Sequence, residues 1–385
     1  MGVASRSARP SPTRAPNYPL VRRGISIDRL SCAVARGELN VPHTLLRTAV
    51  GCAGDAIRMN PMAPMLTSEE TRAFLSSALQ TEDGAGARLG GWTLDDRFTD
   101  YGKRRVVRYD LEFQMAEGSE PRRHLWVGKF YDRDEDARQV ASVLRALETP
   151  AGGAAGSLAV PRVLAYHEAR HLLLCTYEPG ESVGSAIARD TQEILEAMAR
   201  ALATLHQSSI RPTGVVSPGD FLDGLKPKIK DLCDRFPSEA SSLRQAYASL
   251  ETDVPALPAT LTFVHGDFGP ANLLWRNGQI VVLDFDKAAC GDPASDLGNL
   301  LAQLFRMSIR KPEKLQDFPS ARTKILETYQ RSTPPDAGLD QRVAWYERIT
   351  LLRKIHGLAF RTSRHGDADD TERRRADAFR LLRGE

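Results

Sequence analysis

Leu261-Thr262-Phe263-Val264-His265-Gly266-Asp267-Phe268-Gly269-Pro270-Ala271-Asn272-Leu273-Leu274-Trp275, continuing through Gln279-Ile280-Val281-Val282-Leu283 to Asp284-Phe285-Asp286, decides the reading of this chain. Leu261 to Val264 is a short apolar, β-rich run that reads as a buried strand leading into a loop. Leu273 to Trp275 and Gln279 to Leu283 are two further strand-like runs. Arg276-Asn277-Gly278 separates them, and Asn-Gly between apolar runs is the strongest short-range hairpin signal. The hairpin returns the chain so that Asp284, at the end of its second strand, comes near Asn272. A surface turn rich in Asp and Asn is the plain alternative, but turn chemistry explains neither the apolar flanks nor the intervals.

Those intervals carry chemistry. Asp267 and Asn272 form a D-x-x-x-x-N unit, the spacing of a kinase catalytic loop. In phosphoryl transfer an Asp at the first position accepts the proton of the attacking hydroxyl. The Asn, with an Asp on the next strand, holds magnesium ions that bridge nucleotide phosphates. Asp267 is therefore the candidate base, and Asn272 and Asp284 are candidate metal ligands. Asp286 is placed to reach a second ion or its water shell, since hard cations take oxygen ligands. His265 is expected to brace the loop rather than act as a base. "DPASDLGNLL" reads as a helix start, so Asp292 and Asp296 are either anchors behind the site or caps, with capping expected of one.

The strings HGDFGPANLLW (265–275) and VVLDFDKAACGDPASDLGNLL (281–301) resemble the aminoglycoside phosphotransferase and choline kinase-like group, a branch of the protein-kinase-like fold. The resemblance extends more loosely over roughly residues 90–310. It implies an α+β chain of two lobes, with a small, mostly antiparallel β N-lobe and a larger helical C-lobe. It also implies an ATP- or GTP-dependent, Mg2+-using kinase that phosphorylates a hydroxyl of a small molecule. On this basis residues 66–176 form the nucleotide-binding N-lobe. Residues 177–385 form the C-lobe with the catalytic loop, the metal site and the acceptor-binding helices.

Further parts follow from the same resemblance. Arg105 to Phe113 and His124 to Tyr131 alternate as strands. Lys129 inside an apolar strand is costly unless its ammonium meets an anion, so it is the candidate phosphate-binding Lys. An edge-strand Lys facing solvent is the other reading. The helix from Asp134 to Leu147 should supply the partner carboxylate. Gln139 and Val140 stand where the family carries a Glu, however, so either Glu135 or a residue from elsewhere in the chain is the substitute. A first strand is expected near Trp92 to Phe98, and the turn after it, with Gly102 and Lys103, would cover the phosphates. An ordinary basic hairpin turn fits that segment as well. Leu172 to Gly180 reads as the hinge, with Thr176 and Tyr177 beside the nucleotide base. The helix Gln192 to His206 carries a core stripe, and His206 reads as a helix-terminal residue.

Composition sets the remaining bounds. The chain has 385 residues, 42% hydrophobic and 26% charged, with a formal net charge of +3, too small to argue for a nucleic-acid partner. Five cysteines show no paired spacing, which points to a reducing cytoplasm. Residues 1–65 are rich in Arg, Ser, Ala and Pro and read as a disordered extension. A transit peptide, or a start among Met59, Met62 and Met65, are the alternatives. No run is apolar enough for a signal or a membrane span, so no membrane partner is expected. The basic stretch with Arg353 and Lys354 tilts the acceptor away from a cationic aminoglycoside and towards a neutral or anionic hydroxyl compound. Five residues separate Asp286 from Asp292, too few for a protein-kinase activation segment. A catalytically inactive, nucleotide-binding pseudokinase with a regulatory role is the rival reading. Oligomeric state is left open.

Overall fold

The computed structural model describes residues 66–95, 104–116, 119–149, 158–256, 261–360, 373–374 and 376–378. The extension 1–65 and the turn with Gly102 and Lys103 lie outside the described residues. Helix α1 (Ser68–Asp83) starts at a reciprocal cap. Thr67 Oγ1 accepts the Glu70 N–H, and the Glu70 carboxylate accepts that of Thr67. Strands β1 (Arg88–Asp95), β2 (Arg104–Gln114) and β3 (Arg122–Tyr131) follow, then α2 (Asp134–Glu148), β4 (Leu158–Ala159), β5 (Val163–His167) and β6 (Leu172–Thr176). Strand β1 begins earlier than the sequence suggests. A bulge between Leu89 and Gly91 absorbs the glycine pair and breaks the alternation that marks a strand.

The first sheet runs β1-β2-β3-β6-β5 with every pair antiparallel. Its two faces follow the strand period. Leu172 and Leu174 of β6 join Trp126 and Phe130 of β3 under α1, beside Leu75 and Leu79. Leu173 and Cys175 turn to the other face, with Tyr131 and the α2 stripe of Val140, Val143, Leu144 and Leu147. Lys129 shares that second face by alternation. It lies on the central strand, paired with Val106 and Leu173, so the edge-strand reading does not hold.

The second lobe is mainly helical. It contains β7 (Glu181–Ser182), α3 (Val183–Ala186), α4 (Thr191–Gln207), α5 (Pro218–Arg235), α6 (Ala240–Thr252), β8 (Thr262–Val264), β9 (Leu273–Arg276), β10 (Gln279–Val282) and β11 (Ala289–Gly291). Three helices complete it, α7 (Ala294–Arg310), α8 (Phe318–Ser332) and α9 (Leu339–Phe360). Strands β9 and β10 form the expected hairpin, with Asn277 at φ 51° and Gly278 at φ 80°. Both residues tolerate the left-handed backbone a two-residue turn needs. The α4 stripe of Ile194, Leu195, Met198, Leu202 and Leu205 is fully buried. No helix among the described residues is long and apolar enough to cross a membrane.

One buried ion pair fastens α9 to the start of α7. Asp292 is 0% exposed; its Oδ1 accepts the Ala294 N–H at 3.0 Å and its Oδ2 accepts Arg342 Nε at 2.9 Å. Burial raises the Asp292 carboxyl above its ordinary range despite the guanidinium. Arg342→Met strands that charge, and the expected loss is about 3–5 kcal/mol of unfolding free energy. Urea denaturation measures it, and adding Asp292→Asn should recover part of the loss. An unchanged midpoint for Arg342→Met would show that the pair fastens nothing.

Candidate active site

The loop from His265 to Asn272 leaves β8 and is held from behind by polar side chains of α7. Asp296 Oδ2 accepts the His265 N–H at 2.6 Å, and Oδ1 accepts the Gly266 N–H at 2.9 Å. Asn299 Nδ2 donates to the Phe268 carbonyl at 2.8 Å, with Gln303 Nε2 at 3.5 Å from the same oxygen. Positions 296, 299 and 303 share one helical face. Behind Asp296 stands His206, Nε2 at 3.3 Å, whose Nδ1 lies 2.7 Å from Tyr329 Oη. His206 is thus a buried brace as well as a helix-terminal residue. Of the two acids, Asp292 bonds the first turn of α7, and Asp296 anchors the loop.

His265 ties this loop to the hairpin. Its Nε2 donates to the Leu283 carbonyl at 2.9 Å, and its Nδ1 accepts the Asp267 N–H at 3.2 Å. That pairing requires a neutral ring with the proton on Nε2. Burial pushes its pKa down, in agreement. Asn272 closes the unit: its Nδ2 donates to the Asp267 carbonyl at 3.0 Å, and its own carbonyl accepts the Leu283 N–H at 2.9 Å. Gly266 sits at φ 76°, where a Cβ would lie 2.5 Å from the Lys287 carbonyl oxygen. Only glycine fits that approach.

Asp284 takes a left-handed backbone, φ 65°, at the end of the hairpin. Such a conformation is uncommon for a residue with a Cβ, and it turns the carboxylate towards the first lobe. Lys129 Nζ lies 3.0 Å from Asp284 Oδ1 and 3.4 Å from Asp286 Oδ1. Tyr131 donates its hydroxyl to the same Asp286 oxygen at 3.0 Å. The carboxylates beside Lys129 therefore come from the second lobe. Glu135 is exposed on α2. Gln139 donates to the Ala288 carbonyl at 3.0 Å and accepts from Thr213 Oγ1 at 3.1 Å, docking α2 onto the segment after Asp286.

Asn272, Asp284 and Asp286 bring an amide and two carboxylates to one end of the loop. Among the described residues no group of three or more His, Cys, Asp or Glu could hold a metal ion. This donor set is therefore no closed cage. It fits magnesium, which keeps waters, takes one or two carboxylates and shares phosphate oxygens. At the expected hinge, Thr176 N–H donates to the Arg162 carbonyl at 2.9 Å and Tyr177 N–H to the Leu125 carbonyl at 3.1 Å. Both amides are committed to the fold. Thr176 Oγ1 donates to Glu178 at 2.7 Å, and the Tyr177 side chain is 38% exposed.

Asp267 is surrounded by positive charge. Its Oδ2 lies 2.7 Å from Lys287 Nζ and its Oδ1 lies 3.5 Å from Lys354 Nζ. Burial alone would raise its pKa, but the fields of Lys354 and then Lys287 override it and hold the carboxyl down at about 2. Lys354 is itself pushed down to about 8, by burial first; Asp267 opposes the shift, and Arg306, Lys287 and Arg353 add to it. An acid and its neighbouring base both displaced downwards mark a site with excess cation. Neither Lys287 nor Lys354 stands out as a site residue in the sequence, where Lys354 is one member of a basic stretch. Asn299 and Gln303 carried a visible signal, as polar residues at helical spacing in an apolar helix.

No curated protein is a significant match to the sequence. The model of the phosphotransferase enzyme family matches residues 117–318, just over half of the chain. Among solved structures, aminoglycoside phosphotransferase APH(4)-Ia matches at 16% identity with a TM-score of 0.51, over 83% of this chain and 99% of that one. A thermostable mutant of that enzyme, in ternary complex with ADP and hygromycin B, matches at 17% identity and a TM-score of 0.50, over 80% and 98%. At such identities the likeness is one of fold: an antiparallel-sheet N-lobe and a helical C-lobe in the kinase-like arrangement.

The depressed Asp267 carboxyl has a measurable sign. Its contribution to stability is present above about pH 4 and is lost as pH falls towards 2. From pH 2 up to pH 5, stability should therefore move in favour of wild type over Asp267→Asn by about 1–2 kcal/mol. Denaturant titrations at each pH test this, and a constant difference across the window would contradict an ionised, cation-bound Asp267.

Proposed function

The chain belongs to the phosphotransferase enzyme family and is a phosphotransferase acting on hydroxyl groups; from that premise we propose a magnesium-dependent kinase that moves the γ-phosphoryl group of ATP, or GTP, to a small-molecule hydroxyl. One observation carries the reading. Lys129 and Asp284, 155 positions apart, meet at 3.0 Å beside the loop that presents Asp267. The ADP complex of the fold relative supports an adenine nucleotide as co-substrate.

Asp267 is the base in this proposal. Its carboxylate orients the acceptor hydroxyl and takes the proton late, once phosphoryl transfer has made it acidic. A carboxyl held near pH 2 is too weak to abstract a hydroxyl proton early, which agrees with that timing. Asn272 and Asp284 would hold magnesium, with Asp286 towards a second ion, and the bound metal would neutralise the nucleotide phosphates. Lys129 meets the nucleotide phosphates, and Tyr131 orients Asp286. Gly102 and Lys103 complete the proposal as the turn over the phosphates, with Thr176 and Tyr177 at the edge of the base.

Thermal stabilisation with ATP and GTP, with and without magnesium, is the first test, since a ligand of the native state raises apparent stability by mass action. Asp267→Asn is expected to lower turnover by about 10²–10⁴-fold and keep the magnesium-dependent nucleotide shift. Asp284→Ala should weaken that shift. Asp296→Asn, which misplaces the loop without touching the nucleotide, should lower kcat by about 10²-fold. Full turnover by Asp267→Asn would remove it as the base. A nucleotide shift with no turnover, ATP hydrolysis included, would favour the second reading, a nucleotide-binding regulatory pseudokinase. Gln139 in place of a helix carboxylate is the observation on its side.

A further inference from the structure

On the face of Asp267 that looks towards α7 and α9, the side chains carry far more positive than negative charge. Lys354 and Arg353 project from α9, Arg306 from α7 and Lys287 from the segment after Asp286. Lys354 is 3.5 Å and Lys287 2.7 Å from the Asp267 carboxylate. The Arg353 guanidinium stacks over the Phe221 ring of α5, 5.7 Å from its centroid. Among the described residues it makes no hydrogen bond or ion pair, and the Asp267 carboxylate opposes the downward pull of burial on it. Arg353 adjoins Lys354 on α9, whose ammonium lies 3.5 Å from the Asp267 carboxylate.

Burying the cationic ends of Arg353 and Lys354, even in part, is unfavourable unless an anion answers them. Among the described residues Asp267 is the carboxylate that acts on both of them, and in the proposed reaction it is engaged with the acceptor hydroxyl. An acceptor bearing several ammonium groups would meet repulsion here. One bearing a phosphate or carboxylate a few bonds from its hydroxyl would supply the missing charge, and the planar fork of Arg353 suits either group. Phe221 holds that fork in a fixed plane through its ring.

We propose that the acceptor is an anionic hydroxyl compound, a phosphorylated or carboxylated polyol or sugar, whose anionic group binds Arg353 and Lys354 while its hydroxyl meets Asp267. The proposal rests on the kinase reading above and narrows it to one substrate class. Lys287, beside Asp286 and exposed, is no part of this anion site. Selectivity therefore belongs to α9.

The test uses the full chain saturated with magnesium and a non-hydrolysable ATP analogue, so that nucleotide binding is read separately. Matched pairs are then added: glycerol and glycerol 3-phosphate, glucose and glucose 6-phosphate, glucose and gluconate, with kanamycin as the cationic probe. The expected result is thermal stabilisation by the anionic member of at least one pair and not by its neutral partner or kanamycin. The phosphate and carboxylate arms tell the two anions apart. Arg353→Met should weaken the anion's affinity about tenfold or more, Arg353→Lys should retain part of it, and both should keep the nucleotide shift. Equal stabilisation by neutral or cationic partners, no preference in any pair, or an anion effect indifferent to Arg353→Met would each overturn the proposal. Loss of the nucleotide shift alone, with the Arg353-dependent anion preference intact, would instead overturn the kinase reading.

Discussion

The reactive loop keeps its shape because one buried carboxylate accepts two consecutive backbone N–H groups. Asp296 binds the amides of His265 and Gly266, and without it both donors would be buried unpaired at a cost of about 1–3 kcal/mol each. Everything placed by the loop depends on this contact: the Asp267 carboxylate, the Asn272 amide and the imidazole that joins loop to hairpin. The helical lobe then serves a specific end. Helix α4 brings His206 and α8 brings Tyr329 to the back of the same carboxylate, so three helices converge on one ion. Packing and chemistry meet at Asp296.

Charge is divided across the cleft in a way that separates two tasks. On one side, Asp284 and Asp286 face Lys129 and Tyr131 from the sheet, an arrangement of oxygen donors and one ammonium suited to phosphates and a hard cation. On the other side, Asp267 is outnumbered by Lys287, Lys354 and Arg353. The acids of the site therefore sit in two different surroundings, one shared with Lys129 and Tyr131 and the other crowded by lysines.

Much of this was legible from local pattern. The Asn277-Gly278 turn, the apolar runs around it and the α2 and α4 stripes are short-range signals, and the structure contains all of these elements. The D-x-x-x-x-N unit and Asp284 could be named from spacing. What stayed hidden was tertiary. Nothing local says that Lys129 would find its acids 155 positions away rather than on the next helix. Gln139 removed the expected partner without indicating the new one. Asp296 could be read as cap or anchor, and only the approach of the loop distinguishes the two. Lys354 looked like one more basic residue on a helix until its position beside Asp267 was known.

Gly266 carries a wider consequence. Its backbone lies so close to the Lys287 carbonyl that no side chain fits between them, and the contact joins the two segments that carry the acids main chain to main chain. Geometry fixed at that level is closed to gradual adjustment, since most substitutions there break the site outright. Helix α9 packs its own backbone just as closely against Gly298 of α7, but it reaches the reacting groups through the side chain of Lys354. A substitution at Lys354 can therefore alter the charge around Asp267 while the main-chain contact at Gly266 stays as it is.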